Sequence, residues 1–357
     1  MKNSRSAGPA PGAFCAATVF FALALASCAS APGRPADPLL EPRIPLDPGA
    51  MTYVFIDVPE ARPILDHVNI GGYSSAQIGE ILDKTSFAVA ALYSPESGRG
   101  IRAVAWGDYP KTRAGMAFSM SKEWKRRRSA AGKFYWYSSA HRLSLALGSD
   151  QAFAAVAPAA ARGAVPGTAE AAAQDAWEAV ELAAGPFVQG PGIEIPEGFN
   201  TFRAGSCLAL WMENPAGPLD RFLSALRIPL RIPAEQLMAG FLELPPDIQA
   251  PGAVFGAAAP DPAGTLYEIK LRIKVPSETN ARTLMTLFST ARIFISRAGN
   301  QGGTDQEMFE LLSLLFTRPL EQEGAFLTLR SPPLDEEGIA LLFNLFSVYS
   351  QGKLATE

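Results

Sequence analysis

The chain has 357 residues, of which 48% are hydrophobic and 18% are charged, and its formal net charge at pH 7 is −4. This composition supplies a sizeable hydrophobic core and excludes a globally disordered chain. It also makes nucleic acid a poor candidate partner, because neutralising a phosphate backbone requires a net basic surface.

The N-terminal segment has the pattern of an export signal. Lys2 and Arg5 form a short positive leader, followed by an apolar run that is too short to span a bilayer. The run closes at residues 25–28 with Leu-Ala-Ser-Cys, which resembles the lipobox of bacterial lipoproteins. This resemblance implies that residues 1–27 are a signal peptide and that Cys28 is lipidated.

Lipidation would determine where the protein works. Each acyl methylene buried in a bilayer contributes about 0.8 kcal/mol, so several chains on Cys28 make the attachment effectively permanent. Ala29 follows the cysteine, where the enterobacterial sorting rule would require Asp for inner-membrane retention. We therefore expect an exported protein held, in a cell with two membranes, in the inner leaflet of the outer membrane and facing the periplasm. The alternative is an ordinary cleaved signal peptide in which Cys28 has no role.

Residues 28–50 are rich in proline and predict a tether between the lipid and the folded body. Proline at nearly every third position favours an extended polyproline II conformation, which would span up to ~60 Å. The prolines are Pro32, Pro35, Pro38, Pro42, Pro45 and Pro48.

Residues 51–157 predict the first of two α/β halves. Apolar, β-rich runs predict strands, and polar residues at capping positions predict helix starts. We predict strands at 52–58, 87–93, 101–109, 134–137, 142–147 and 152–156, and helices at 63–68, from Ser74 onward, and at 113–128.

Residues 158–206 predict a linker with a connecting helix at 170–184, followed by a loop at 190–204 that holds one short strand. The second half follows over residues 207–351, and residues 352–357 form a tail. For the second half we predict strands at 207–212, 254–258 and 326–329, and helices at 219–226, from 233, 280–297, 305–316 and 336–349.

The two halves show a similar order of patterns. The run at 87–91 parallels that at 254–258, and the glycine of each predicted hairpin loop lies twelve residues before a helix-starting proline. We predict an α+β fold of two tandem related β-α-α-β-β-α-β halves, each a mostly antiparallel sheet with helices packed against it. Chance resemblance between hairpin-and-helix segments is the alternative.

Catalytic chemistry finds little support. The chain has two histidines, His67 and His141, which scattered residues such as Ser138, Ser139 and Asp66 would have to join to build a triad. No nucleophile elbow, Walker loop, dinucleotide fingerprint or zinc-protease helix is present. We predict no catalytic residue, no cofactor and no metal site, with a hydrolase kept as an alternative.

The three cysteines do not predict an intrachain disulfide. Cys15 would leave with the signal peptide and Cys28 would carry lipid, which leaves Cys207 alone. Cys207 lies in a run that predicts a buried strand, so we expect a packed and unreactive thiol.

Two predicted helices carry basic residues in an otherwise acidic chain. The helix at 113–128 ends in a basic run, and the helix at 280–297 carries arginines beside apolar residues, a pattern that favours contact with anionic headgroups. A solvated helix end is the alternative, because cations suit a helix C-terminus. The candidate membrane-contact residues are Lys122, Trp124, Lys125, Arg126, Arg127, Arg128, Arg282 and Arg292.

The helices predicted at 305–316 and 336–349 are apolar over most of their surface. Neither is long enough to span a membrane, so core, a lipid, an apolar ligand or a partner must cover them. The candidate lipid-contact residues are Phe309, Leu312, Leu315, Phe316, Leu342, Phe343 and Phe346.

With its lipidated Cys28 and the helices from 113, 280, 305 and 336, the chain resembles a family of spirochaetal outer-membrane-associated lipoproteins. Their bodies are α/β, and their amphipathic helices insert into the inner leaflet. The resemblance implies a non-enzymatic role in membrane association, lipid binding or envelope permeability. We therefore expect a membrane-anchored lipoprotein that binds lipid or an apolar ligand. The alternatives are a structural or assembly partner of envelope proteins and, less favoured, a hydrolase.

Overall fold

The computed structural model describes the chain between residues 43 and 339. Gaps in that description fall at 45, 47–48, 68–81, 94–99, 110, 129–131, 139–142, 148–151, 158–192, 195–196, 218, 221–230, 245–264, 299–317 and 337. Cys28, the predicted helices at 170–184 and 305–316, and the predicted strand at 254–258 lie outside the described residues. So do the helix predicted from Ser74, except Leu82, and nearly all of those at 219–226 and 336–349.

Among the described residues, twelve strands form one antiparallel sheet and two short strands form another. The large sheet has the order β13-β14-β12-β11-β10-β2-β3-β4-β8-β7-β6-β5, and β1 pairs with β9. The strands are β1 Arg43–Ile44, β2 Thr52–Asp57, β3 Thr85–Leu92, β4 Ile101–Gly107, β5 Trp124–Arg128, β6 Phe134–Ser138, β7 Leu143–Leu147, β8 Ala152–Ala157, β9 Ile193–Glu194, β10 Ser206–Glu213, β11 Gln236–Glu243, β12 Tyr267–Lys274, β13 Glu321–Glu323 and β14 Phe326–Arg330.

Four helices of seven residues or more are described: α1 Val58–His67, α2 Lys111–Met120, α3 Glu197–Arg203 and α4 Glu278–Ala298. The first begins where Asp57 accepts a hydrogen bond from the Glu60 N–H at 3.4 Å. The predicted α+β class with mostly antiparallel pairing is confirmed, as are the hairpin of β3 and β4 and the helix that spans 280–297.

β2 and β10 lie side by side at the centre of the sheet. They are antiparallel, with Tyr53 opposite Trp211. Outward from β2 come β3, β4 and β8, and outward from β10 come β11, β12 and β14. Strands β3 to β8, which follow β2 in the sequence, therefore lie toward one end of the sheet. Strands β11 to β14, which follow β10, lie toward the other end.

Helices α1, α2 and α4 cover the same face of the large sheet, which we call the helix face. Ile64 of α1 packs with Ile56, and Phe118 of α2 packs in a cluster with Ala88, whose strand position is opposite Ile56. Leu284 of α4 packs over Ile273 on the same side. Because side chains alternate along a strand, the other residues of these strands point to the opposite face.

The opposite face is covered at its centre by α3. Phe199 is fully buried and lies 4.9 Å from Phe55 and 6.2 Å from Trp211, measured between ring centroids. Leu46 and Ala50 belong to the same cluster, so the body includes residues that the proline pattern placed in the tether. The loop predicted at 190–204 is wrong over 197–203, where α3 forms because its two phenylalanines, three residues apart, fill the core.

A second correction concerns the helix predicted from residue 233. Residues 236–243 form β11, which hydrogen-bonds to β10 on one side and to β12 on the other. Pairing on both edges, together with burial of Met238, outweighs the helix-capping pattern. The strand predicted at 207–212 is confirmed, and Cys207 is buried, with its thiol donating a hydrogen bond to the Phe241 carbonyl at 3.3 Å.

Candidate functional site

The basic run that the sequence placed at a helix end lies on an edge strand. The helix predicted at 113–128 is wrong beyond residue 120, because α2 ends at Met120 and β5 begins at Trp124. Ser121 closes the helix by donating its N–H to the Phe118 carbonyl, and its hydroxyl accepts the Glu123 N–H at 3.3 Å. All five residues of β5 then pair with β6, and this pairing replaces helical hydrogen bonds.

Trp124 is a core residue and not a membrane-contact residue. Its side chain is 4% exposed and meets the Phe118 ring edge-on at 5.3 Å. Phe118 also lies 5.3 Å from Trp136, so α2 is fixed over β5 and β6 by three aromatic rings. Buried aromatic pairs of this kind contribute about 0.5–1.5 kcal/mol beyond the area that they bury.

Arg126 and Arg128 share the side of β5 on which Trp124 lies, and this is the helix face. Both guanidinium groups lie over one ring, that of Phe134 on β6. The guanidinium carbon of Arg126 is 3.7 Å from the ring centroid, and that of Arg128 is 4.7 Å from it. The two positive charges therefore share one aromatic ring as a partner.

Lys125 and Arg127 point to the opposite side of the strand. The guanidinium carbon of Arg127 lies 4.8 Å from the centroid of Tyr137, which packs against the core on the α3 side. Lys125 and Arg127 are exposed. The edge strand therefore presents two cations to each side of the sheet.

None of these four cations forms an ion pair with a carboxylate among the residues that the structure describes. Lys122, which precedes the strand, is likewise exposed. An exposed cation without a carboxylate partner keeps its charge available to an external anion.

Exposed apolar side chains lie on α2 and β6, two elements that contact β5. Four large apolar side chains are exposed in the described part of the chain, and three of them belong to α2 and β6. Met116 is 55% exposed, Met120 85% and Phe134 41%. Single exposed apolar residues are ordinary on protein surfaces, but here three occur on two elements that contact β5, whose arginines have no carboxylate partner among the described residues. We call Met116, Met120, Arg126, Arg128 and Phe134 the α2–β5 corner.

The second predicted basic helix, α4, provides fewer cations for contact with an external anion among the described side chains. Arg282 on α4 is exposed but forms an ion pair with Glu278 one turn earlier, which neutralises it. Arg292 lies within α4, and its side chain is outside the described residues. Leu284 and Phe288 are buried under the helix, whereas Leu287 is 42% exposed on its outer side.

The residues considered for catalysis do not come together where they are described. The Asp66 carboxylate is bound by Arg62 at 2.8 Å, and Ser138 is buried within β6. The side chains of His67 and His141 are outside the described residues. Within the described ranges, no three His, Cys, Asp or Glu residues form a group that could bind a metal ion.

No helix in the described part of the chain combines the length and the apolar character needed to cross a bilayer. The apolar helices predicted at 305–316 and 336–349 lie almost wholly outside that part, as do Phe309, Leu312, Leu315, Phe316, Leu342, Phe343 and Phe346. Ile339, near the start of the last predicted helix, is described and is fully buried beside Leu334.

The aromatic partners of the arginines were not predicted as site residues. The signal was present in the sequence, since Phe134 and Tyr137 belong to an aromatic run that follows closely on the basic run. Cross-strand pairing of the two runs would have placed each arginine near a ring. The prediction of a continuous helix concealed this pairing.

No protein-family model and no curated protein matches this chain. Its fold is similar to that of TP0453, a spirochaetal protein, in two crystal forms. Crystal form III gives a TM-score of 0.52 at 14% identity, covering 85% of this chain and 98% of that chain. Crystal form IV gives a TM-score of 0.50 at 16% identity, covering 85% and 96%. At these identities the likeness shows a shared fold alone.

Proposed function

We propose that this protein is an exported, non-enzymatic lipoprotein, anchored through an acylated Cys28, whose body contacts the membrane surface through the α2–β5 corner. The anchor rests on the Leu-Ala-Ser-Cys sequence at residues 25–28. The contact rests on one observation above all. Arg126 and Arg128 have no carboxylate partner in the described part of the chain, they lie over the exposed ring of Phe134, and the helix that contacts their strand carries the exposed Met116 and Met120.

This combination suits the boundary between headgroups and acyl chains. Each cation near an anionic bilayer contributes about 1 kcal/mol, and apolar side chains that enter the acyl region add to it. Met120 and Met116 supply flexible apolar groups, and Phe134 supplies a ring. In water the same methionines and ring remain exposed. Burying them in the acyl region would therefore favour association of the folded body with a membrane.

Lipid or apolar-ligand binding by the two last predicted helices is a further part of the proposal. Phe309, Leu312, Leu315 and Phe316 on one helix, and Leu342, Phe343 and Phe346 on the other, remain its candidate residues. Burial of Ile339 supports the view that the last helix starts against the core. The lipid-binding role would then fall on residues farther along that helix.

We also propose that the body consists of two related halves. The strands and helices that correspond between the halves differ from those in the sequence-based prediction. In support, β2, β3, β4 and β8 follow one another outward on one side of the centre, as β10, β11, β12 and β14 do on the other. The helix after the third strand is α2 in one half and α4 in the other. Superposing the halves in an experimental structure tests this, because unrelated halves would not align in that order.

Acylation is tested by expressing the full chain in a bacterium that processes lipoproteins and by measuring the mass of its N-terminal peptide. We expect acyl groups on Cys28 and their loss in Cys28→Ser. A processed chain with an unmodified cysteine would contradict the anchor.

Contact by the body is tested with the Cys28→Ser chain, which cannot be acylated. We expect it to sediment with vesicles that contain anionic lipid and to remain free with neutral vesicles. Absence of binding to both kinds of vesicle would overturn the membrane-contact proposal and leave the anchor untouched.

A second candidate function, partnership with another envelope protein, is favoured by the sheet edge itself. β5 has a partner strand on one side only among the described strands, so its outer backbone groups are available for strand addition. Co-purification of one protein in constant proportion, abolished by Arg127→Pro on β5 and unaffected by lipid, would support this function over membrane contact.

A further inference from the structure

We propose that Arg126 and Arg128, stacked on Phe134, bind the phosphate monoester of an anionic lipid headgroup, so that the α2–β5 corner prefers phosphomonoester lipids to phosphodiester lipids. This inference rests on the proposed membrane contact and specifies its ligand.

The geometry of the stack leaves the right donors free. A guanidinium group is planar, and its N–H donors point outward in that plane. At 3.7 Å from the ring centroid, Arg126 uses a face of its guanidinium against Phe134. Its N–H groups therefore remain available to a ligand, and the ring restricts the positions that the side chain adopts.

The charge of the pair matches a doubly charged ligand. The guanidinium carbons lie 3.7 Å and 4.7 Å from one ring centroid, so they are at most 8.4 Å apart, a distance that one phosphate group can bridge. A phosphate monoester carries about −1.5 to −2 charges at pH 7, whereas a diester carries one. The monoester can accept paired hydrogen bonds from both arginines and neutralise both charges.

The position of the pair fits a lipid better than a dissolved anion. Phe134 is 41% exposed, and Met120 on the neighbouring helix is 85% exposed. A headgroup held by the arginines would place its acyl chains beside these apolar groups. Free phosphate offers nothing that would cover them.

Lys125 and Arg127 provide a matched control on the same strand. They carry the same charge as the pair but point to the other side of the sheet, where Arg127 stacks on Tyr137. A double substitution on either side removes two charges from one strand and keeps its backbone pairing. Only the pair on the helix face shares one ring.

The test uses the full chain with Cys28→Ser and vesicles of equal surface charge, containing either phosphatidic acid or phosphatidylglycerol in phosphatidylcholine. We expect roughly tenfold tighter binding to phosphatidic acid, the size of one additional charge-assisted contact. R126Q/R128Q should abolish this preference, and K125Q/R127Q should keep it while weakening binding to both lipids. Phe134→Leu should reduce the preference severalfold at unchanged charge.

Each other outcome is informative. Equal binding to the two anionic lipids would overturn the phosphomonoester inference and leave the proposed membrane contact intact, whereas no binding to either would overturn both. Protection of β5 amides by inorganic phosphate, without vesicle binding, would overturn the lipid assignment in favour of a dissolved anion. Near-ultraviolet circular dichroism, which reports on Trp124 and Trp136, confirms that each variant is folded.

Discussion

The two ends of the large sheet both carry many cations, but the partners of those cations differ. At the β12–β14 end, Arg272 pairs with Glu323 and Lys274 pairs with Glu235, each at 3.1 Å. Glu268 accepts hydrogen bonds from Arg318 at 2.6 Å and from Arg330 at 2.8 Å. At the β5 end, the described residues offer no carboxylate to any of the four cations, and three of the four stack on aromatic rings.

This difference separates charges that stabilise the fold from charges for which we propose a role in contact. The Glu268 carboxylate is buried, and a buried charge is tolerated only when partners neutralise it. The β5 cations are exposed and repel one another, so folding gains little from their charge. Their position on an edge strand is consistent with the proposed role toward an external anion and with protection of the edge against aggregation.

The largest expected effect comes from breaking the buried ion pair at the β14 end. Glu268→Gln should lower the free energy of unfolding by about 2–3 kcal/mol, which is less than for a fully buried pair because both arginines are partly exposed. Urea unfolding monitored by tryptophan fluorescence measures this change. Glu323→Gln is the matched control, and its exposed pair with Arg272 should contribute at most about 1 kcal/mol. Equal losses in the two variants would contradict the comparison.

The next effect concerns the apolar part of the α2–β5 corner. M116S/M120S should weaken vesicle binding of the Cys28→Ser chain by roughly tenfold, the consequence of losing about 1–2 kcal/mol of apolar burial. The free energy of unfolding should change little, because both methionines are exposed. Leu287→Ser, on the outer side of α4, is the control for a general loss of exposed apolar surface. Equal weakening by Leu287→Ser would show that contact is not confined to the α2–β5 corner.

A smaller effect is expected at Lys270, which lies on β12 at the same end of the sheet as β14. Burial lowers its pKa, and the positive charges of Arg330 and Arg272 lower it further. The folded state therefore binds its proton less tightly than the unfolded state, so stability rises as pH increases from the folded pKa toward 10.5. Lys270→Met should remove this rise, by less than about 1 kcal/mol for a half-exposed group.

The measurement for Lys270 is the difference in urea midpoint between wild type and Lys270→Met from pH 7 upward. The difference between the two proteins is needed because Cys207 acts in the opposite direction. Burial raises its pKa to about 12, so its contribution to stability is lost above pH 9. A difference that does not change with pH would contradict the lowered pKa of Lys270.

The smallest expected effect on stability concerns the arginines of β5. R126Q/R128Q should change the free energy of unfolding by no more than about 0.5 kcal/mol, because the side chains are exposed, have no carboxylate partner among the described residues, and lose both their contacts with Phe134 and their mutual repulsion, which offset each other. The same measurement that detects the loss in Glu268→Gln serves here. A loss of several kcal/mol would assign the β5 arginines to folding instead of contact.

Several elements could be predicted because a local pattern and the tertiary structure agree on them. The apolar, β-rich runs of 52–57 and 101–107 suit strands, and the apolar stripe of 278–298 suits a helix. β11 and β5 were mispredicted because their residues have no strong preference for strand. Each becomes a strand only because β10 and β12, or β6, supply hydrogen-bonding partners from elsewhere in the chain.

The amino-acid sequence by itself determined the α+β class and the basic character of residues 122–128, and it carries the Leu-Ala-Ser-Cys motif from which lipidation of Cys28 is predicted. These are local properties, since periodicity, charge and short motifs are complete within a few residues. Only the tertiary structure decided that Trp124 belongs to the core and that Arg126 and Arg128 share the ring of Phe134. That arrangement depends on residues 124–128 pairing with β6 instead of continuing α2, and the packing of Phe118 on Trp124 and Trp136, which lies outside any local pattern, stabilises that pairing.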